Sequence, residues 1–212
     1  MTLREEVLYA NKSLKTLGLV CMHSGNVSAI DRAKERVYIK PSGMDYDKLD
    51  ESDIVTTDLA GNVLESQLKP SVDLCHHLFL YRAMPEIGAV VHTHSNYATA
   101  FAACQMPIPV ALTAVADEFG GEIPCAPYVD NNGDHLGESI MEFKNQAPAI
   151  LLGNHGVFAW GRTVADALKA AAMVEDVAKT ISIAMSIGKP KILPPGEIAK
   201  WNDRYLNRYG QK

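Results

Sequence analysis

The sequence is poor in cysteine, in tryptophan and in positive charge, and it has no long apolar run. Its four cysteines, Cys21, Cys75, Cys104 and Cys125, are scattered without a C-x-x-C pair. That removes a cysteine-rich zinc site and a thioredoxin-like redox motif, and Cys75 is assigned to packing. Met1 to Ala10 is charged rather than apolar, so reduced thiols in a cytoplasmic protein are expected. The net charge is −5 and no Lys/Arg-rich stripe occurs, which argues against a nucleic-acid partner. Every apolar stretch falls short of the roughly 18 residues that a membrane span needs. No repeat or low-complexity linker divides the 212 residues, so one domain over 1–212, large enough for a real core, is expected.

What is there is periodic. Leu3, Val7, Leu8, Leu14 and Leu17 recur at helical spacing over residues 2–18. Short strands are predicted at 28–31, 36–40 and 53–57, with a hairpin turn over Asp58 to Asn62. Ser71 is placed as the N-cap of a helix running to Arg82. A strand at 88–92 leads into a helix from about Ser95 to Cys104, and residues 105–138 are rich in proline and glycine, with short strands near 109–112 and 122–125. Strands at 149–152 and 157–160 follow, then a long helix from Thr163 through Ile187, then a short helix and a free end over 196–209. The pattern reads as an α/β sandwich with a mainly antiparallel sheet.

Chemistry is concentrated in Val90-Val91-His92-Thr93-His94-Ser95. Alternate strand residues share a face, so His92 and His94 project together. Two neutral imidazoles begin a zinc site and require at least one more protein ligand. His155, in Leu152-Gly153-Asn154-His155-Gly156, follows another short apolar run and supplies a third. Asp73 is a candidate fourth ligand. His77, four residues on, is its rival or its support, although packing is the favoured reading of His76 and His77. Gly25-Asn26-Val27-Ser28, Lys40-Pro41-Ser42-Gly43 and Lys69-Pro70-Ser71 combine lysine, hydroxyls and bare backbone, which together suggest a phosphate grip. Asp117, among small apolar residues, reads either as a buried acid/base with a raised pKa or as a solvated loop residue.

These segments, together with Met44-Asp45-Tyr46, Val157-Phe158-Ala159-Trp160-Gly161 and Tyr209-Gly210-Gln211, occur in an order that resembles the class II aldolase/adducin family. Within it the chain is most similar to the L-ribulose-5-phosphate 4-epimerases. The resemblance implies a three-layer αβα sandwich with a mainly antiparallel central sheet, assembled as a homotetramer with active sites at subunit interfaces. It implies a divalent metal, zinc foremost with Mn2+ or Co2+ as alternatives, held by Asp73, His92, His94 and His155. By matched position it places the substrate phosphate on Asn26, Lys40, Ser42, Gly43 and Ser71. Thr113 then lines the pocket of an acid/base Asp117, and Tyr209 comes from a neighbouring subunit. The related fuculose- and rhamnulose-phosphate aldolases carry glutamate where this chain has Asp73. Val72 replaces a phosphate-binding serine, the stretch after Tyr128 is short, and Tyr205 falls where the epimerases have a tail histidine. The implied activity is epimerisation of L-ribulose 5-phosphate to D-xylulose 5-phosphate by C3–C4 cleavage. A sugar-phosphate aldolase or sugar-acid phosphate lyase is the alternative, and an adducin-like interaction module would have lost the histidines.

Overall fold

The computed structural model describes residues 1–211. Seven strands form one sheet in the order β3-β2-β1-β4-β7-β6-β5. They are β1 (Asn26–Asp31), β2 (Arg36–Ile39), β3 (Val55–Thr57), β4 (Ala89–Thr93), β5 (Cys125–Ala126), β6 (Ala149–Leu152) and β7 (Gly156–Gly161). All neighbours pair antiparallel except β5 with β6. The helices are α1 (Leu3–Thr16), α2 (Leu74–Ala83), α3 (Asn96–Ala103), α4 (Thr113–Phe119), α5 (His135–Phe143), α6 (Val164–Ile187) and α7 (Pro195–Arg208).

Strand alternation sorts the core into two layers. Val27, Ala29, Val91, Leu151, Val157 and Ala159 face one side, against α1, α3, α4 and α6. Ile30, Val37, Val90, Ile150, Phe158 and Trp160 face the other, against α2 and α5. Central strands are therefore buried on both faces, which is why they read as continuous apolar runs rather than as strict alternations. This is the three-layer arrangement expected, with the sheet mainly antiparallel.

Helix starts follow local chemistry. Thr163 and Asp166 close a capping box at the start of α6, and Thr2 and Glu5 do so at α1. Four expectations need correction. Ser71 does not cap α2. Asp73 stands at the N-cap position, without a capping bond of its own, because the Ser71 hydroxyl is engaged by Asn26. Residues 109–112 form no strand: only an isolated bridge joins Ile108 to Ile123. Asp117 lies on α4 rather than in the loop that one of its two readings gave it, and neither α4 nor α5 was foreseen. Finally, α7 is 14 residues long and packs against α4, so it is no short helix.

Buried Asn11 ties α1 to the strand that opens on Asn26. Its Nδ2 donates to the carbonyls of Val7 and Val27, and its Oδ1 accepts from the Val27 N–H. Replacing it with alanine leaves the Val27 peptide buried without a partner. Asn11→Ala is therefore expected to destabilise the fold by about 2 kcal/mol. Urea unfolding checks this, and an unchanged midpoint would remove Asn11 from the account.

Candidate metal centre

His92, His94 and His155 converge, with ligand atoms within 4.8 Å of one another. His92 lies in β4, paired with Phe158 of β7, and His94 follows the strand's last residue. His155 sits in the turn that joins β6 to β7. That turn is fixed by a left-handed Asn154 at φ 58° and by a bond from the Asn154 N–H to the Ala102 carbonyl at 2.9 Å. Ring centroids are 4.6 Å apart for His92 and His94, and 4.9 Å for His92 and His155. Gly156 makes the approach feasible, since a Cβ there would stand 2.5 Å from the Thr93 carbonyl oxygen and 2.7 Å from the His94 ring.

The tautomer of His92 follows from its surroundings. Its Nδ1 lies 2.9 Å from the Val157 carbonyl, which can only accept, so Nδ1 carries the proton and Nε2 the lone pair. Its ring stacks on Phe158 at 4.5 Å. The Nε2 atoms of His92 and His94 are buried without a hydrogen-bond partner, an arrangement that costs free energy unless something binds them. Burial lowers the pKa of all three imidazoles, that of His92 to about 3. Neutral, bare imidazole nitrogens at one point fit a divalent cation, with borderline ions such as zinc favoured by the donor type.

Asp73 is adjacent but not one of the three. Its carboxylate accepts from Asn26 Nδ2 at 2.6 Å and from the Ser71 hydroxyl at 3.4 Å. Burial pushes this carboxyl up, while His92, His77 and the Asn26 amide hold it down more strongly. His77 is fully buried, its Nδ1 2.7 Å from Ser28 Oγ, which in turn contacts the Tyr81 hydroxyl. Both His76 and His77 pack edge-on against Phe158, as the packing reading requires. Cys75 is exposed as a residue rather than packed, while partial burial of its thiol raises its pKa, so it is not an activated nucleophile.

The segments read from the sequence as an anion grip meet in a short crossing. Ser42 N–H donates to the Lys69 carbonyl and Ser71 N–H to the Lys40 carbonyl, each at 3.0 Å. This puts Lys40, Ser42, Ser71 and Asn26 around one place, with Gly43 left-handed beside them at φ 66°. Lys40 is 2% exposed. Its ammonium has only long contacts to the His23 and Pro41 carbonyls, at 3.5 and 3.4 Å, and stands 4.7 Å from the Tyr46 ring. Burial lowers its pKa. Among the described residues it forms no ion pair, so an anion there would complete its coordination.

The remaining candidates gather elsewhere. Thr113, Asp117 and Tyr209 line a cavity of about 210 Å³ with Trp201, Arg204 and Tyr205. None of the three histidines lines it. α4 belongs to the layer with α6, whereas His92 shares its face with Phe158 and α2. Within one chain the sheet thus stands between the two groups. Asn202 Nδ2 donates to the Asp117 carbonyl at 3.0 Å, and the Tyr205 and Tyr209 rings stack at 5.0 Å. Neither Trp201, noted only as one of the tail's aromatics, nor Arg204 was read as a site residue from the sequence.

Residues 5–182 match the family model described as the class II aldolase and adducin N-terminal domain. An L-fuculose 1-phosphate aldolase structure is 30% identical, with a TM-score of 0.87 over 96% of each chain. YgbL from Escherichia coli, described as a candidate aldolase/epimerase/decarboxylase, is 28% identical with a TM-score of 0.83, over 95% of this chain and 98% of that one. The L-fuculose-1-phosphate aldolase from Thermus thermophilus, 22% identical, shares the fold with a TM-score of 0.72 over 90% of this chain and 98% of its own.

The depressed histidines give a pH signature in the metal-free protein. His77 and His92 stay neutral down to about pH 3, against 6.5 for a free imidazole. Between those values the unfolded chain binds more protons than the native one, so stability rises with pH. Both histidines act in the same direction there. Chelated protein is expected to melt at steadily lower temperature as pH falls from 6.5 to about 4.5. The lowered carboxylates act only below their ordinary 3.8. A melting temperature that is flat over that range would contradict buried neutral histidines.

Proposed function

Because the chain belongs to the class II aldolase and adducin family, we propose that it is a divalent-metal epimerase that converts L-ribulose 5-phosphate to D-xylulose 5-phosphate. Family membership and 30% identity to an L-fuculose 1-phosphate aldolase make it a class II aldolase-type sugar-phosphate enzyme. The observation that carries the reading is the cluster of three neutral histidines, two of them with bare, buried Nε2 atoms. Asp73, His92, His94 and His155 hold the cation, with zinc preferred and Mn2+ or Co2+ as substitutes. When bound, the cation supplies Lewis-acid stabilisation of the negative charge that develops on the ketose oxygens as the C3–C4 bond opens.

The chain's own residues do the rest. Asn26, Lys40, Ser42, Gly43 and Ser71 grip the phosphate, so the aldehyde fragment rotates without leaving. Asp117 and Tyr209 hold and move a proton at the C4 oxygen, one on each face of the fragment, with Thr113 beside them. Their separation from the histidines by the sheet supports an origin in an adjacent subunit of a homotetramer. Asp73 supports epimerisation over aldol cleavage: its short carboxylate is already tied to Asn26 and Ser71, which leaves it poorly placed as a mobile base. The second reading, an aldolase or sugar-acid phosphate lyase, is favoured by the likeness to L-fuculose 1-phosphate aldolase and YgbL.

Zinc-loaded enzyme given L-ribulose 5-phosphate is expected to accumulate D-xylulose 5-phosphate, followed by NMR. Accumulation of free dihydroxyacetone instead would establish the aldolase. Asp117→Asn is expected to slow epimerisation by about 100-fold or more with metal content unchanged. Undiminished turnover would exclude Asp117. Co-expressing His94→Ala with Asp117→Asn chains is expected to restore activity that neither has alone, since a mixed assembly pairs an intact metal set with an intact acid/base set. Failure to complement would place both sets in one subunit.

A further inference from the structure

We infer that Glu175 is a positioning residue for the metal centre, fixing His94 through the first turn of α3. The inference rests on the metal-binding reading above. α3 begins at Asn96, two residues after His94, with Ser95 at the N-cap. The opening N–H groups of a helix have no partner inside it, and a serine at that position ordinarily accepts one of them. Ser95 does not. Its side chain makes no capping bond, and its Oγ is buried without a partner.

The acceptor comes from α6 instead. One carboxylate oxygen of Glu175 takes the Tyr97 N–H at 3.0 Å and the other takes the Ala98 N–H at 2.9 Å. A two-oxygen anion on the positive end of a helix binds it more firmly than a hydroxyl and fixes its direction as well. Lys179, one turn along α6, stands 5.8 Å from the Tyr97 ring and holds the same turn. The lever itself is rigid, because Val174, Val177 and Ala178 around Glu175 are fully buried.

His94 therefore lies between two fixed points. Upstream, Thr93 pairs with Val157 in the β4–β7 register. Downstream, only Ser95 and Asn96 separate it from the peptides that Glu175 holds. The acid whose charge acts on the His94 ring is Asp73, so Glu175 works through the backbone. A cation needs its three imidazoles at set positions at once, and slack at one of them lowers affinity without unfolding the protein.

The test uses full-length protein stripped of metal and titrated with Zn2+ against a chromophoric chelator, with the visible spectrum of the Co2+-loaded form as a second readout. Glu175→Gln keeps the shape and one acceptor but turns an NH2 toward the other N–H. It is expected to weaken Zn2+ binding about 10-fold or more and to alter the Co2+ bands. Glu175→Asp, which keeps the charge on a shorter arm, is expected to lose less, and it carries the same comparison should the glutamine variant not fold. Zn2+ affinity within about two-fold of wild type with an unaltered Co2+ spectrum, even at a lower melting temperature, would overturn the proposal and leave Glu175 a fold clamp. Wild-type protein that takes up neither ion would overturn the metal reading, and this inference with it.

Discussion

The pairing of β4 with β7 is the contact on which the candidate centre depends. It sets His92 opposite Phe158 and Thr93 opposite Val157, so two histidines leave one strand end beside the turn that carries the third. The same register presents the Val157 carbonyl to His92 Nδ1, which fixes the tautomer and aims Nε2 at the cluster. A slip of one residue would turn His92 to the α1, α3 and α6 face and dissolve the site. Gly156 is part of that constraint, because no other residue lets the two backbones and the His94 ring come so close.

Around this pairing the charges are sorted by burial. The imidazoles are kept neutral by desolvation and remain open as ligands. Lys40 is buried in the neighbouring crossing of two Lys-Pro-Ser segments, and among the described residues it forms no ion pair. Asn26 connects the two regions, since a single amide bonds both Ser71 and Asp73. A ligand with an anionic group at one end and metal-binding oxygens at the other would bridge them, and a sugar phosphate has that form.

Much of this was legible in the sequence, because strand ends announce themselves. The apolar runs before His92 and His155 located both, and the period of two put His92 and His94 on one face. The three lysine, serine and glycine segments were legible as pieces, but their crossing is tertiary and left no local trace. α4 was hidden because seven helical residues lie between proline-rich and glycine-rich flanks, which dominate any local reading. α5 was missed behind Asp130-Asn131-Asn132-Gly133-Asp134, a turn signal that masks the spacing of Leu136 and Ile140. Ser71 was misjudged because a serine before a helix suggests a cap, whereas here Asn26 engages it. Glu175 could not be found at all. It reads as one more charge on an alanine-rich helix, and its partner turn is nearly 80 residues away in the chain.

The central claim is that a divalent cation sits on His92, His94 and His155. Anomalous diffraction from crystals of zinc-loaded protein, recorded on both sides of the zinc edge, tests it most directly. The account predicts one peak per chain, about 2.1 Å from Nε2 of His92 and of His94, with His155 completing the set. A zinc-loaded crystal with no peak there, or with its only peak on surface carboxylates, would contradict it.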